Sequence, residues 1–146
     1  MSKKNKEIKP ISTQSRIEVR YAETDQMGVV HHSVYPIYFE QARVDWLREV
    51  GMHYQKMEDS GVMLPLSRLT VDYKKPAKFG DILNVETRLH HLPTASIIFD
   101  YEIKNQDEEV ITLGQTVLVF VSETTRRPMR CPDHIVELIK KAIPRA

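Results

Sequence analysis

The sequence predicts an α+β fold, with one antiparallel sheet and one long helix covered on much of its circumference. Three observations point there. A helical stretch from about Pro36 to Val50 carries apolar residues on more than one face. A strand with apolar and polar residues alternating precedes it. Strand-like runs joined by short turns follow it in succession, as antiparallel strands do. The chain has 146 residues, 41% hydrophobic and 28% charged, the size and balance of one globular domain. Residues 1–146 are therefore read as a single domain.

The lysine-rich start is expected to be a flexible tail over residues 1–14. From Arg16 to Tyr21, Ile17, Val19 and Tyr21 alternate with Arg16, Glu18 and Arg20, which predicts a half-buried strand. Residues 22–34 break the alternation. Gly28 marks a turn there, and Ser33 is a candidate helix cap. Pro36 suits the first turn of the long helix and Gly51 its stop. Phe39, Ala42, Trp46 and Val50 form one stripe, with Leu47 at its border, while Ile37 and Val44 fall on another sector. Residues 52–65 read as a short irregular or helical excursion. Four strands should follow: Leu66 to Tyr73, Ile82 to His91, Ala95 to Lys104 and Val110 to Ser122. A last helix should run from about Pro132 to Ala142, with Asp133 in its first turn and lysines near its end. One sheet around one helix leaves free sheet edges, which invite pairing with a second subunit.

Composition excludes several classes. A formal net charge of +1 argues against a nucleic-acid binder that relies on bulk positive charge. The one cysteine, Cys131, cannot make an internal disulfide and has no base beside it in sequence. The N-terminus shows neither a signal peptide nor a membrane span. A cytoplasmic protein without stable membrane insertion is the expectation.

The irregular segment between the first strand and the helix holds what chemistry the sequence offers. It carries a carboxylate, Asp25, then Gly28, then His31 and His32, then a helix N-terminus. Such a terminus offers free N–H groups and a positive partial charge, which can polarise a carbonyl and hold an oxyanion. A carboxylate aimed at the same point can attack or can activate water. Adjacent histidines are expected to point apart, and no carboxylate or cysteine completes a metal-ligand spacing with them. No metal site is assigned.

The stretch from Tyr21-Ala-Glu-Thr-Asp25 through Gly28-Val-Val-His31-His32 and Tyr35 to Phe39-Glu40-Gln-Ala-Arg43 resembles the 4-hydroxybenzoyl-CoA thioesterase family, in particular its Tol–Pal-associated branch. Val71-Asp-Tyr73-Lys-Lys-Pro76-Ala-Lys-Phe-Gly80-Asp81 resembles the family's next landmark. The resemblance spans roughly residues 16 to 125. It implies the hotdog fold, one curved sheet wrapped around the long central helix. It implies dimers joined edge to edge, often paired again into tetramers, with the active site at the subunit interface. The implied activity is hydrolysis of an acyl-CoA without metal or cofactor. Asp25 matches the family's catalytic aspartate, acting as nucleophile or general base, and Gly28 matches the glycine of its turn. The carbonyl-polarising N–H falls on the backbone of His32.

The sequence departs from the pattern at His31, where the family has an aromatic, and at Val34, where Asn is usual. The turn His90-His91-Leu-Pro-Thr-Ala-Ser96 lacks the Arg or Lys that often meets CoA phosphates. Lys74, Lys75 and Arg127 are the replacement candidates, with Lys78, Arg126 and Arg130 behind them. Glu40, about one turn into the helix, is the second candidate carboxylate, with pairing to Arg43 as its structural alternative. Tyr35, Tyr38 and Trp46 are assigned to the core, Asp45 and Arg48 to the surface. Two other readings compete. A hotdog dehydratase needs a His-Phe-Pro-Gly type string, which is absent. A non-catalytic acyl-CoA binding protein of the same fold would bind without turnover, and sensors of that kind usually carry a further DNA-binding domain.

Overall fold

The computed structural model describes residues 6–145. Its main sheet is antiparallel throughout, in the order β1-β4-β5-β6-β3. The strands are β1 (Glu7–Glu18), β3 (Leu66–Tyr73), β4 (Ile82–His91), β5 (Ser96–Lys104) and β6 (Val110–Val119). A two-stranded ribbon pairs β2 (Val62–Met63) with β7 (Val121–Ser122). The helices are α1 (Tyr35–Glu49), α2 (Tyr54–Asp59) and α3 (Asp133–Ala142). No helix among the described residues is long and apolar enough to cross a membrane.

The expected 1–14 tail is corrected. Residues 1–5 lie outside the described residues, and β1 begins at Glu7, pairing with β4 through Thr13↔Thr87 and Ile17↔Leu83. Hydroxyl side chains hid this strand. Its inward positions are Ile11, Thr13 and Ser15, all buried, so the alternation is present but two of these three inner positions are polar. The register is irregular between Glu7 and Ile11, where Pro10 cannot donate to the ladder. At its other end β1 stops at Glu18, and Tyr21, expected on the buried face, is 77% exposed at the start of a 3-10 turn.

The helix α1 lies against the inner face of the sheet. Buried Phe39 stacks on Tyr101 of β5 with ring centroids 4.3 Å apart, and Trp46 meets Phe99 edge-on at 5.1 Å. The Trp46 indole N–H donates to the Ile11 carbonyl at 2.9 Å, so the buried polar edge of the ring is satisfied. Tyr35 and Tyr38 are buried as expected. Asp45 is half-buried rather than a plain surface residue, because it accepts from the Ser15 hydroxyl at 2.7 Å. Gly114 of β6 is where the Phe39 ring comes closest to the sheet: a Cβ there would lie 2.3 Å from its Cζ.

One margin of this core is open. β3 pairs only with β6 among the described residues, and its Leu66, Leu69 and Tyr73 are 47%, 37% and 51% exposed. Ile37 on α1 is 59% exposed, so protein does not cover that sector of the helix.

Candidate active site

The loop between β1 and α1 is a stack of nested turns. At its start, Val19 N–H donates to Asp81 O and Gly80 N–H to Val19 O, which ties the end of β1 to the β3–β4 turn. A 3-10 turn, Tyr21–Glu23, then leads into a small hairpin. Thr24 bridges Val30, Asp25 N–H donates to Val29 O at 2.9 Å, and His31 N–H donates to Glu23 O at 3.0 Å. Asp25 opens the tip. Its Oδ1 accepts from Met27 N–H at 2.8 Å and more weakly from Val29 N–H at 3.4 Å. Gly28 takes φ +78°, a left-handed conformation that costs a residue with a Cβ free energy and costs glycine almost none. Asp25 Oδ2 has no hydrogen-bond partner among the described residues.

The strand after Asp25 is fastened to the β3–β4 turn. Val30 N–H donates to Ala77 O at 2.8 Å, and Val29 bridges Lys78. The Tyr73 hydroxyl donates to His32 O at 2.8 Å. Holding that carbonyl leaves the His32 N–H, which has no acceptor among the described residues. Val34 caps α1 with no side-chain hydrogen bond, so the expected Ser33 cap is corrected: the Ser33 hydroxyl contacts His31 Nδ1 at 2.7 Å instead. The rings of His31 and His32 do not diverge either, their centroids being 4.1 Å apart.

A cavity of about 250 Å³ opens here, lined by Val30, His32, Tyr35, Tyr73, Lys74 and Lys75. Asp25 shares the loop but is not on this wall. Lys75 is bound to Glu109, whose carboxyl that lysine holds below its ordinary range together with Asn105. Lys74 is exposed; its backbone N–H donates to Ile111 O at 2.8 Å, and its ammonium has no partner among the described residues. Arg127 is elsewhere: its carbonyl holds Ser122 N–H of β7, beside the Leu66 end of β3, whereas Lys74 follows the Tyr73 end. An eight-residue strand separates those ends by roughly 23 Å. The three basic candidates therefore do not form one cluster within a chain. The Glu40 side chain is exposed, with no ion pair or hydrogen bond among the described residues, and Arg43 hydrogen-bonds the Tyr101 side chain instead, so the pairing of Glu40 with Arg43 is corrected.

Two residues of this region were missed. Glu23 accepts from the Tyr38 hydroxyl of α1 at 2.9 Å and from Arg20 N–H at 2.9 Å. Its signal was the three-residue spacing from Arg20, that of a turn closed by its own side chain. Tyr73 stands at the end of a predicted strand and inside the second family-like landmark, yet neither marks its reach to His32. Cys131 is buried, and burial with the nearby Asp133 carboxylate pushes its thiol up to about 12, which suits an inert side chain.

The sequence profile of the thioesterase-like superfamily matches residues 19–139. The chain belongs to that superfamily. Among relatives of this thioesterase-like chain, a putative acyl-CoA thioesterase of Bacillus subtilis, YneP, is 31% identical over 81% of this chain and 86% of its own. A putative esterase of Aquifex aeolicus is 39% identical over 86% of this chain and 95% of its own. A solved structure of DHNA-CoA thioesterase from Staphylococcus aureus superposes with a TM-score of 0.85 at 34% identity, covering 89% of each chain. The fold is the hotdog fold, with α1 as its central helix.

Proposed function

We propose that the chain hydrolyses an acyl-CoA to a free acid and CoA, with the Asp25 carboxylate as nucleophile or general base and the His32 N–H polarising the thioester carbonyl. The observation that carries this reading is one loop holding both a free carboxylate oxygen and a free backbone N–H. The names of the relatives support the acyl-CoA class. As base, Asp25 takes a proton from water while the water oxygen bonds to the carbonyl carbon. The oxyanion is held by N–H groups at the start of α1, the C–S bond breaks and the CoA thiolate takes up a proton. As nucleophile, Asp25 bonds to that carbon itself, and water then hydrolyses the acyl-aspartate anhydride. Neither route calls on a metal or cofactor.

The same reading takes the chain as a homodimer or a homotetramer built from dimers. The open β3 edge and the exposed Ile37 support it. If β3 pairs antiparallel with its own copy about a two-fold axis, Arg127 of the partner subunit approaches the Tyr73 end, beside Lys74. The basic groups that are split within one chain then converge on CoA phosphates. Thiol release from a panel of acyl-CoAs tests the activity: turnover is expected for at least one acyl class, and binding without turnover across the panel refutes it in favour of a carrier. Sedimentation at micromolar concentration that returns only the 17.0 kDa chain refutes the assembly.

A further inference from the structure

We infer that Glu23 is the positioning residue of this site: its carboxylate anchors the base of the 24–30 hairpin to α1 and so sets where the Asp25 carboxylate points. The inference rests on the reading of Asp25 just given. The hairpin is rigid within itself, held by the Thr24 and Val30 bridge, the Asp25 N–H to Val29 O bond and the His31 N–H to Glu23 O bond. A rigid hairpin carries its tip wherever its base goes. The strand that follows Asp25 is held from outside by Ala77, Lys78 and Tyr73. The hairpin arm just before Asp25, residues 23–24, has one hydrogen bond to α1 among the described residues, the Tyr38 hydroxyl donating to Glu23 Oε1 at 2.9 Å. The same carboxylate takes Arg20 N–H at 2.9 Å and the Arg20 guanidinium at 3.0 and 3.1 Å. One side chain thus joins the end of β1, the base of the hairpin and the helix that directly follows the candidate oxyanion donor, His32.

The environment fits an ionised anchor. The Glu23 side chain is 11% exposed, whereas that of Arg20 is 76% exposed. Burial alone would push the Glu23 carboxyl up. Hydrogen bonds from the Arg20 backbone, the Tyr38 hydroxyl and the Arg20 guanidinium outweigh it and hold the carboxyl below its ordinary range. On the other side, burial and the Glu23 carboxylate push the Tyr38 phenol up, so it stays a donor. The exposed guanidinium contributes little energy. The buried Tyr38 contact is the one that fixes position. Tyr38 also meets Tyr35 edge-on at 5.8 Å, and Tyr35 lines the cavity, so a shift at Glu23 reaches both sides of the site.

The test uses the full chain with Glu23→Gln and Tyr38→Phe, each alone and combined with Asp25→Asn, read by kcat, KM and thermal midpoint. Glu23→Gln keeps the shape and loses the charge. It should lower kcat roughly 10- to 100-fold, the scale of a misplacement on the order of 1 Å. KM should stay within about twofold, because the loss falls on the transition state. Tyr38→Phe should lower kcat to a similar extent, because it removes the hydrogen bond that ties the hairpin base to α1. In the Asp25→Asn background Glu23→Gln should add no further loss, since it acts through Asp25. Normal kcat in Glu23→Gln overturns the inference, as does an equal loss with or without Asp25. Should Glu23→Gln fail to fold, normal kcat in Tyr38→Phe overturns it. Wild-type turnover in Asp25→Asn overturns the reading of Asp25 itself. That differs from an active Glu23→Gln beside an inactive Asp25→Asn, which overturns only the role of Glu23.

Discussion

Gly114→Ala is expected to destabilise the protein through a single contact. The added Cβ would stand 2.3 Å from Phe39 Cζ and 2.5 Å from Cε2. Carbon pairs rest at about 3.5–4.0 Å, so ring or strand must give by more than about 1 Å. The ring cannot simply retreat: Phe39 is fully buried and stacked on Tyr101 at an interplanar angle of 14°. Overpacking of this kind costs about 1–3 kcal/mol. For a chain of this size that is a fall in thermal midpoint of roughly 3–12 °C. Calorimetry or the circular-dichroism melt of Gly114→Ala reads it directly. Phe39→Leu in the same chain should recover part of the loss, because the smaller side chain vacates the space. Its effect in the double mutant would then fall short of the sum by more than about 0.5 kcal/mol. A Gly114→Ala melt within 1 °C of wild type, or strict additivity with Phe39→Leu, would refute the claim that this glycine exists to admit the ring.

Other outcomes follow from the site. Asp25→Asn should lower kcat about a hundredfold or more, the scale for losing a general base or nucleophile. Glu40→Gln should cost clearly less, and the reverse ranking in the thiol-release assay would move the catalytic carboxylate to α1. Lys74→Ala should raise KM, increasingly so at low salt, whereas Lys75→Ala should do less because Glu109 already engages that ammonium. Equal KM effects would show that the Glu109 pair does not persist in solution. Cys131 has a folded pKa near 12 against an ordinary 9.0, so stability should be fully present below about pH 9 and fall as pH rises towards 12. Cys131→Ala should flatten that alkaline loss, and a thiol reagent at pH 8 should label Cys131 only on unfolding.

The parts of the fold with plain periodicity were legible. Leu66–Tyr73 and Ile82–His91 stand where their alternation and turns put them, and α1 lies within one residue of the expected Pro36 to Val50 at each end. Sequence failed where burial was not apolar. Thr13 and Ser15 face inward from β1, so a strand was read as a tail. At the site, the long motif identified the family, though at a level coarser than the Tol–Pal branch. It also picked out Asp25, Gly28 and His32 on one loop. It could not reveal the contacts that arrive from distant elements, such as Tyr73 reaching His32 or Tyr38 reaching Glu23. Nor could it tell that Lys75 is engaged by Glu109, or that Arg127 lies a strand's length from Lys74.

The pairing of β1 with β4 has a consequence for synthesis on the ribosome. β1 is the first strand made, yet the hydroxyl of Ser12 waits for Glu86, 74 residues later, to complete its contact. The carbonyl of Ile11 can meet the Trp46 indole after only 35 residues. The nascent chain can thus dock its leading strand on α1 before its sheet partner β4 has emerged. Bringing distant partners together is the slow step in such topologies, and unpaired edges are the aggregation hazard meanwhile. Until that docking, the hydroxyl groups of Thr13 and Ser15 make the inner face of the strand less apolar than an all-aliphatic one. The feature that concealed β1 from sequence reading therefore also reduces the apolar surface this strand exposes before it docks.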